Sequence, residues 1–240
     1  MKWIATPIML LTLALPLSAG VIVDYVVDAG GNNTDPLNGL AARATFDISG
    51  HQLLIQLENT STGVPAGFSA AEQLVVSLGL NLPVGVAFAS GDSAVIGAGS
   101  HGLGAWSARG AGDSVAEQWL WSNSFGGDLL GAYRNIVTTS SGLPAGSVGF
   151  GGHNSSVGGP YGGIAPNPLH LAIPPNQPAV RSRIDFTLTL TGTLSAAQLA
   201  EVAQGSMVEF GSDARYLRVP EPSSLLLVLA PLAGLVRRRG

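Results

Sequence analysis

Hydrolysis of a glycosidic bond needs two carboxyl groups that flank it, and they need only be close in the folded chain. Glu58, Glu72, Glu117, Glu201 and Glu209 are available for that work, but nothing around them marks two as a pair. Other chemistries have sharper signatures, and these are missing. The chain has no G-x-S-x-G elbow, no H-E-x-x-H and no Walker pattern. His51, His101, His153 and His170 are scattered without ligand spacing. Cysteine is absent, which excludes thiol chemistry and disulfides. Asp28, Asn32, Asn33 and Asp35 could offer oxygens to calcium, but their spacing is not that of an EF-hand, and Asx-turn chemistry accounts for them. No other metal or cofactor is expected. Trp119 and Trp121 are two apart, so on a strand they share a face. Two indoles on an open face could stack on the CH groups of a pyranose, with Gln118, Asn123 and Arg134 bonding its hydroxyls. The commoner fate of such a pair is the core. The residues as a whole point away from an enzyme.

The elements that must position these residues read as strands. Val21–Val27 is rich in β-branched residues. Leu40–Ile48 and His51–Asn59 alternate on either side of Ser49-Gly50, which predicts an antiparallel hairpin with Ala44, Phe46, Ile48, Leu53, Ile55 and Leu57 facing inward. Glu72–Leu82 reads as a strand ended by Pro83, with short strands at Val84–Ala89 and Ala94–Ile96. Gly97–Gly112 reads as a long surface loop carrying Trp106, and Ser140–Pro178 as a longer, Gly- and Pro-rich one. Val180–Thr193 alternates most strongly and is expected as one strand. Thr193–Gln204 reads as a short helix opened by Ser195 and Gln198 in capping-box spacing. Met207–Phe210 is a last strand, after which Arg215–Arg218 leads into Pro220.

The body, residues 21–218, is therefore expected as a single all-β domain. The expected architecture is an antiparallel β-sandwich, with the jelly roll as one available arrangement and one short helix near its C-terminal end. A division into two smaller β units around Ser140–Pro178 is the alternative. The 33 glycines and 11% charged residues agree with a turn-rich β body.

Both ends differ from the body. Met1–Gly20 carries Lys2, an apolar core over Ile8–Leu15, Pro16 and then small residues, the pattern of a secretory signal peptide cut after Ala19 or Gly20. Val219–Gly240 places Pro220-Glu221-Pro222 before an uncharged apolar run, Ser223–Val236, and then Arg237-Arg238-Arg239. Two prolines one residue apart hold the chain extended. The apolar run prefers lipid, and three arginines stay on the cytoplasmic side. A helix of this run spans about 21 Å, short of a hydrocarbon core of about 30 Å, and Pro231 interrupts it. That makes it a marginal permanent anchor and a suitable transient one. Without both ends the body keeps seven of eleven basic residues and fourteen of fifteen acidic ones, so the net charge moves from −4 to about −7. Such a balance excludes electrostatic binding to nucleic acid.

The tail closely resembles the PEP-CTERM sorting signal of bacterial exosortase substrates. The resemblance rests on Pro220, Glu221 and Pro222, the apolar run, and Arg237, Arg238 and Arg239 in that order, about a tenth of the chain. The opening hairpin and the stretch from Leu190 to Leu217 are also similar to the bodies of such proteins. The resemblance implies export, cleavage by signal peptidase and a transient stop in the inner membrane. It further implies processing near Pro-Glu-Pro by an exosortase-type enzyme, and release to the cell surface or extracellular matrix. It also implies a non-enzymatic role linked to exopolysaccharide and biofilm. A carbohydrate-binding module built on Trp119 and Trp121 is the alternative, and a secreted glycoside hydrolase a more distant one.

Overall fold

The computed structural model describes residues 20–27, 38–124, 133–139, 147–152, 159–211 and 215–220. Among them are β1 (Val21–Val26), β2 (Ala41–Ser49), β3 (Gln52–Asn59), β4 (Val75–Leu80), β5 (Phe88–Ile96), β6 (His101–Gly104) and β7 (Leu120–Ser122). These are followed by β8 (Asn135–Thr138), β9 (Val148–Gly149), β10 (Ile164–Ala165), β11 (Pro178–Arg181) and β12 (Arg183–Leu190). Helix α1 (Ala196–Gln204), β13 (Met207–Phe210) and β14 (Arg215–Arg218) complete them. The signal-peptide residues before Gly20, the candidate calcium loop Asp28–Asp35, and Glu221 onward lie outside the described residues. No helix among the described residues is long and apolar enough to cross a membrane.

Strict alternation builds the first sheet, in the order β1-β2-β3-β12-β5 with every pair antiparallel. β2 and β3 meet in the expected hairpin. Ser49 faces Gln52 and the chain reverses through Gly50 and His51, with Gly50 at φ 62°, where a side chain would be strained. Ala44, Phe46, Leu53, Ile55 and Leu57 point into the core, joined from β12 by Ile184, Phe186 and Leu188. Ile48 is only half-buried, at the edge of that core.

The second sheet runs β6-β11-β10-β4-β8-β7-β9, and β13 joins β4 on the side that carries β14. Its central strand β4, VVSLGL, is buried at every position. One core cluster draws on both sheets, from Phe46, Ile55 and Phe186 on the first to Leu78, Val137 and Val208 on the second. The result is a β-sandwich-like all-β fold with one short α-helix among the described residues. It is not purely antiparallel, because β10 and β11 run parallel.

Three loop and strand expectations are corrected. Val84–Ala89 and Ala94–Ile96 are not two short strands; β5 runs unbroken from Phe88 to Ile96 and absorbs its irregularity as register shifts against β12. Gly97–Gly112 is not simply a surface loop. It contains β6, paired with β11, and Trp106 is buried at 6% exposure. Gly102 permits this, since a Cβ there would run into the backbone of Trp106. Val180–Thr193 is not one strand. Ser182, at φ 71°, breaks it and passes the chain from β11 in the second sheet to β12 in the first. The break is fixed on both sides: Ser182 N–H donates to the Ala165 carbonyl, and Asn59 N–H donates to the Ser182 carbonyl, both at 2.9 Å.

Helix α1 has the expected capping box. Ser195 Oγ accepts from Gln198 N–H, and the Gln198 side chain accepts from Ser195 N–H. Leu199 and Val202 face the core. Just past the helix, Tyr25 on β1 shares a 2.6 Å hydrogen bond with Ser206, and Ser206 Oγ donates to the Ala203 carbonyl.

Candidate functional site at the end of the body

β14 is the last strand before Pro220, and three features hold it. Its four residues pair with β13, from Phe210–Arg215 to Met207–Arg218. Its alternation splits two apolar neighbours: Leu217 enters the main core, and Tyr216 joins Tyr133, Ile136 and Met207 in a separate cluster. At its start, Arg215 pairs with Glu72 at 2.6 Å, with side-chain exposures of 13% and 16%. The Arg215 guanidinium also lies 4.2 Å from the Phe68 ring centre, and Ser69 N–H donates to Glu72. Burial pushes the Glu72 carboxyl up, but the donors from Ser69 and the Arg215 charge outweigh it and hold it below the usual glutamate range.

The ladder continues across the sheet. Arg218 faces Met207, Met207 faces Gly79, and Gly79 faces Ile136. This end of the sheet therefore gathers Arg218, the turn after β4 and the residues leading into β8. Arg134 N–H donates to Asn81 Oδ1 at 3.1 Å, tying the last two together. Burial raises the Tyr133 phenol, and the charge of Arg218 works against it. Val219 packs on the core, and Pro220 is the last residue of the described chain. Of the sorting-signal residues only Pro220 is described; Glu221, Pro222, Arg237, Arg238 and Arg239 lie outside.

Trp119 and Trp121 do share a face, but it is the inner one. Trp119 is fully buried, with its ring 4.8 Å from that of Phe186 and its Nε1 donating to the Gly162 carbonyl at 3.1 Å. Trp121 is half-buried and meets Phe88 edge-on at 6.1 Å. Gly91 makes room for it, since a Cβ there would strike the indole. The expected stacking platform is corrected on this ground: a ring packed against Phe186 has no free face for a sugar. Asn123 is occupied as well. Its amide bonds both backbone groups of Phe88 at 2.8 Å and closes the edge of β5 as a strand would.

The remaining candidates are dispersed. Glu117 pairs with Arg109 and Glu72 with Arg215, Glu209 is buried and accepts from Ser77, and Glu58 and Glu201 stand on β3 and α1. Among the described residues no group of three His, Asp or Glu side chains could hold a metal ion. His170 contacts the Ser61 carbonyl at 3.2 Å, and His153 lies outside the described residues. The Glu72–Arg215 pair had no signature in the sequence, because its partners sit on distant segments joined only by the fold. No protein-family model matches the chain, and no curated protein or solved structure matches it.

Proposed function

We propose that this chain is an exported bacterial surface or extracellular-matrix protein, handled by an exosortase-type enzyme and non-enzymatic in its body. One observation carries the reading: Pro220-Glu221-Pro222, the apolar run Ser223–Val236 and Arg237–Arg239 follow one another directly after a strand that ends at Arg218. The apolar run forms a single membrane helix that stops the exported chain in the inner membrane. Pro-Glu-Pro presents an extended peptide at the outer membrane face, where the enzyme acts. Arg237–Arg239 fix the orientation. The released body then joins the surface or the exopolysaccharide matrix.

The test is the intact mass and C-terminal peptide of the protein from its native host, with and without the processing enzyme. Loss of the segment after Pro-Glu-Pro only when the enzyme is present is the expected result. A C-terminus at Gly240 in both strains would overturn the reading.

A further inference from the structure

We infer that the Arg134–Arg218 end of the body is a contact surface for anionic lipid headgroups, used while the tail is anchored. The inference rests on the membrane stop proposed above and adds an orientation to it.

Reach comes first. Only Val219–Pro222 separate the end of β14 from the apolar run, and four extended residues cover about 14 Å at most. An anchored tail therefore holds this end of the body against the bilayer.

Charge is the second observation. The body has seven arginines. Arg43, Arg109, Arg183 and Arg215 pair with Asp24, Glu117, Asp185 and Glu72. Arg181 is half-buried. Arg134 and Arg218 are exposed and make no ion pair among the described residues. In a body with an excess of acids, these two exposed cations, without an ion pair among the described residues, stand at the end from which the tail leaves. The nearest carboxylate along β13, Glu209, is buried and bonded to Ser77 at 2.5 Å.

Apolar exposure is the third. The turn after β4, tied to Arg134 through Asn81, carries Val84 at 88% exposure, the most exposed large apolar residue described. A protruding aliphatic on the turn that Asn81 ties to Arg134, at the end of the sheet that also carries Arg218, suits the headgroup boundary, where apolar burial and headgroup charge act together. Each arginine near an anionic surface strengthens association about fivefold, so the pair gives roughly 25-fold.

The absence of cysteine makes the test clean. Val84→Cys in the full chain is labelled with a polarity-sensitive fluorophore and reconstituted into vesicles of neutral lipid, or of neutral lipid with about a third anionic lipid. Flotation reports the anchor; the probe reports the contact. The expected result is flotation with both vesicles and a blue-shifted probe on anionic vesicles only. That shift should disappear in 1 M salt and in the Arg134→Glu/Arg218→Glu variant, whose melting curve shows that it is folded. A chain that floats while its probe stays water-like on anionic vesicles overturns this inference and leaves the anchor standing. So does a shift that survives on neutral vesicles or in the charge-reversed variant. A chain that floats with neither vesicle overturns both.

Discussion

Replacing Glu72 by glutamine would remove a charge while keeping the shape of the side chain. Arg215 would remain over Phe68, 13% exposed, without the Glu72 charge beside it. Removing one member of a buried ion pair costs about 3–5 kcal/mol. The solvent contact left to both side chains puts the expectation at the low end, about 3 kcal/mol. For a body of this size each kcal/mol moves Tm by about 2–4 °C, so Glu72→Gln should melt about 6–12 °C lower. The effect also has a pH signature. The Glu72 pKa is depressed in the fold, so its stabilisation is complete above the usual glutamate value and is lost as pH falls through the folded value. Wild type should therefore approach the variant in acid. The assay is urea denaturation of wild type, Glu72→Gln, Arg215→Met and the double variant at pH 7 and pH 3. The double variant should be more stable at pH 7 than the sum of the single losses implies, since both single losses count the same ion pair. A Glu72→Gln loss under 0.5 kcal/mol at pH 7, or an equal gap at both pH values, would refute the reasoning.

Trp119→Ala should cost about 3–5 kcal/mol in chemical denaturation, because it empties a core site and strands the Gly162 carbonyl; any change in polysaccharide binding should follow the folded fraction alone. Tyr25→Phe should cost about 1 kcal/mol at pH 7 through the lost Ser206 bond. Burial pushes the Tyr25 phenol far above its usual value, so wild type should lose stability as pH rises past about 10 while the phenylalanine variant escapes that part of the loss; unfolding curves at pH 9 and pH 11 decide it. Gly91→Ala should cost about 1–3 kcal/mol, because the new methyl meets Trp121 and Phe150, and Trp121→Leu in the same chain should restore part of it; thermal melts of the single and double variants measure both.

Local signals carried much of this fold. The β2–β3 hairpin was legible because period two shows on both strands and Gly50 marks the reversal. α1 was legible because Ser195 and Gln198 stand in capping spacing. What escaped depends on distant partners. β6 is a strand because β11 lies beside it, and a Gly-rich sequence carries no sign of that. Trp119 and Trp121 were placed on one face correctly, yet alternation cannot say whether a face looks into the core or to solvent. The break at Ser182 was illegible for a related reason: serine carries no mark of a left-handed backbone, and the bonds that hold it come from Ala165 and Asn59. Of the candidate site, the composition of the tail was readable in full. The Glu72–Arg215 lock and the gathering of Arg134 and Arg218 at one end of the sheet emerge only when strands from both halves of the chain meet.

The transfer at Ser182 also bears on the order in which the chain can fold as it is made. β12 is the interior strand that joins β3 to β5, and it begins at residue 183. The three-stranded piece β1-β2-β3 is complete by residue 59, but one side of β3 and one side of β5 stay open until β12 arrives. β4 likewise waits for β13 at residue 207. A chain emerging from its N-terminus therefore spends most of its synthesis with unsatisfied strand edges, and both sheets close over its last third. Such late closure favours slow, cooperative folding and exposes incomplete chains to edge pairing. It also leaves a nearly finished chain still open enough to be threaded through a narrow pore.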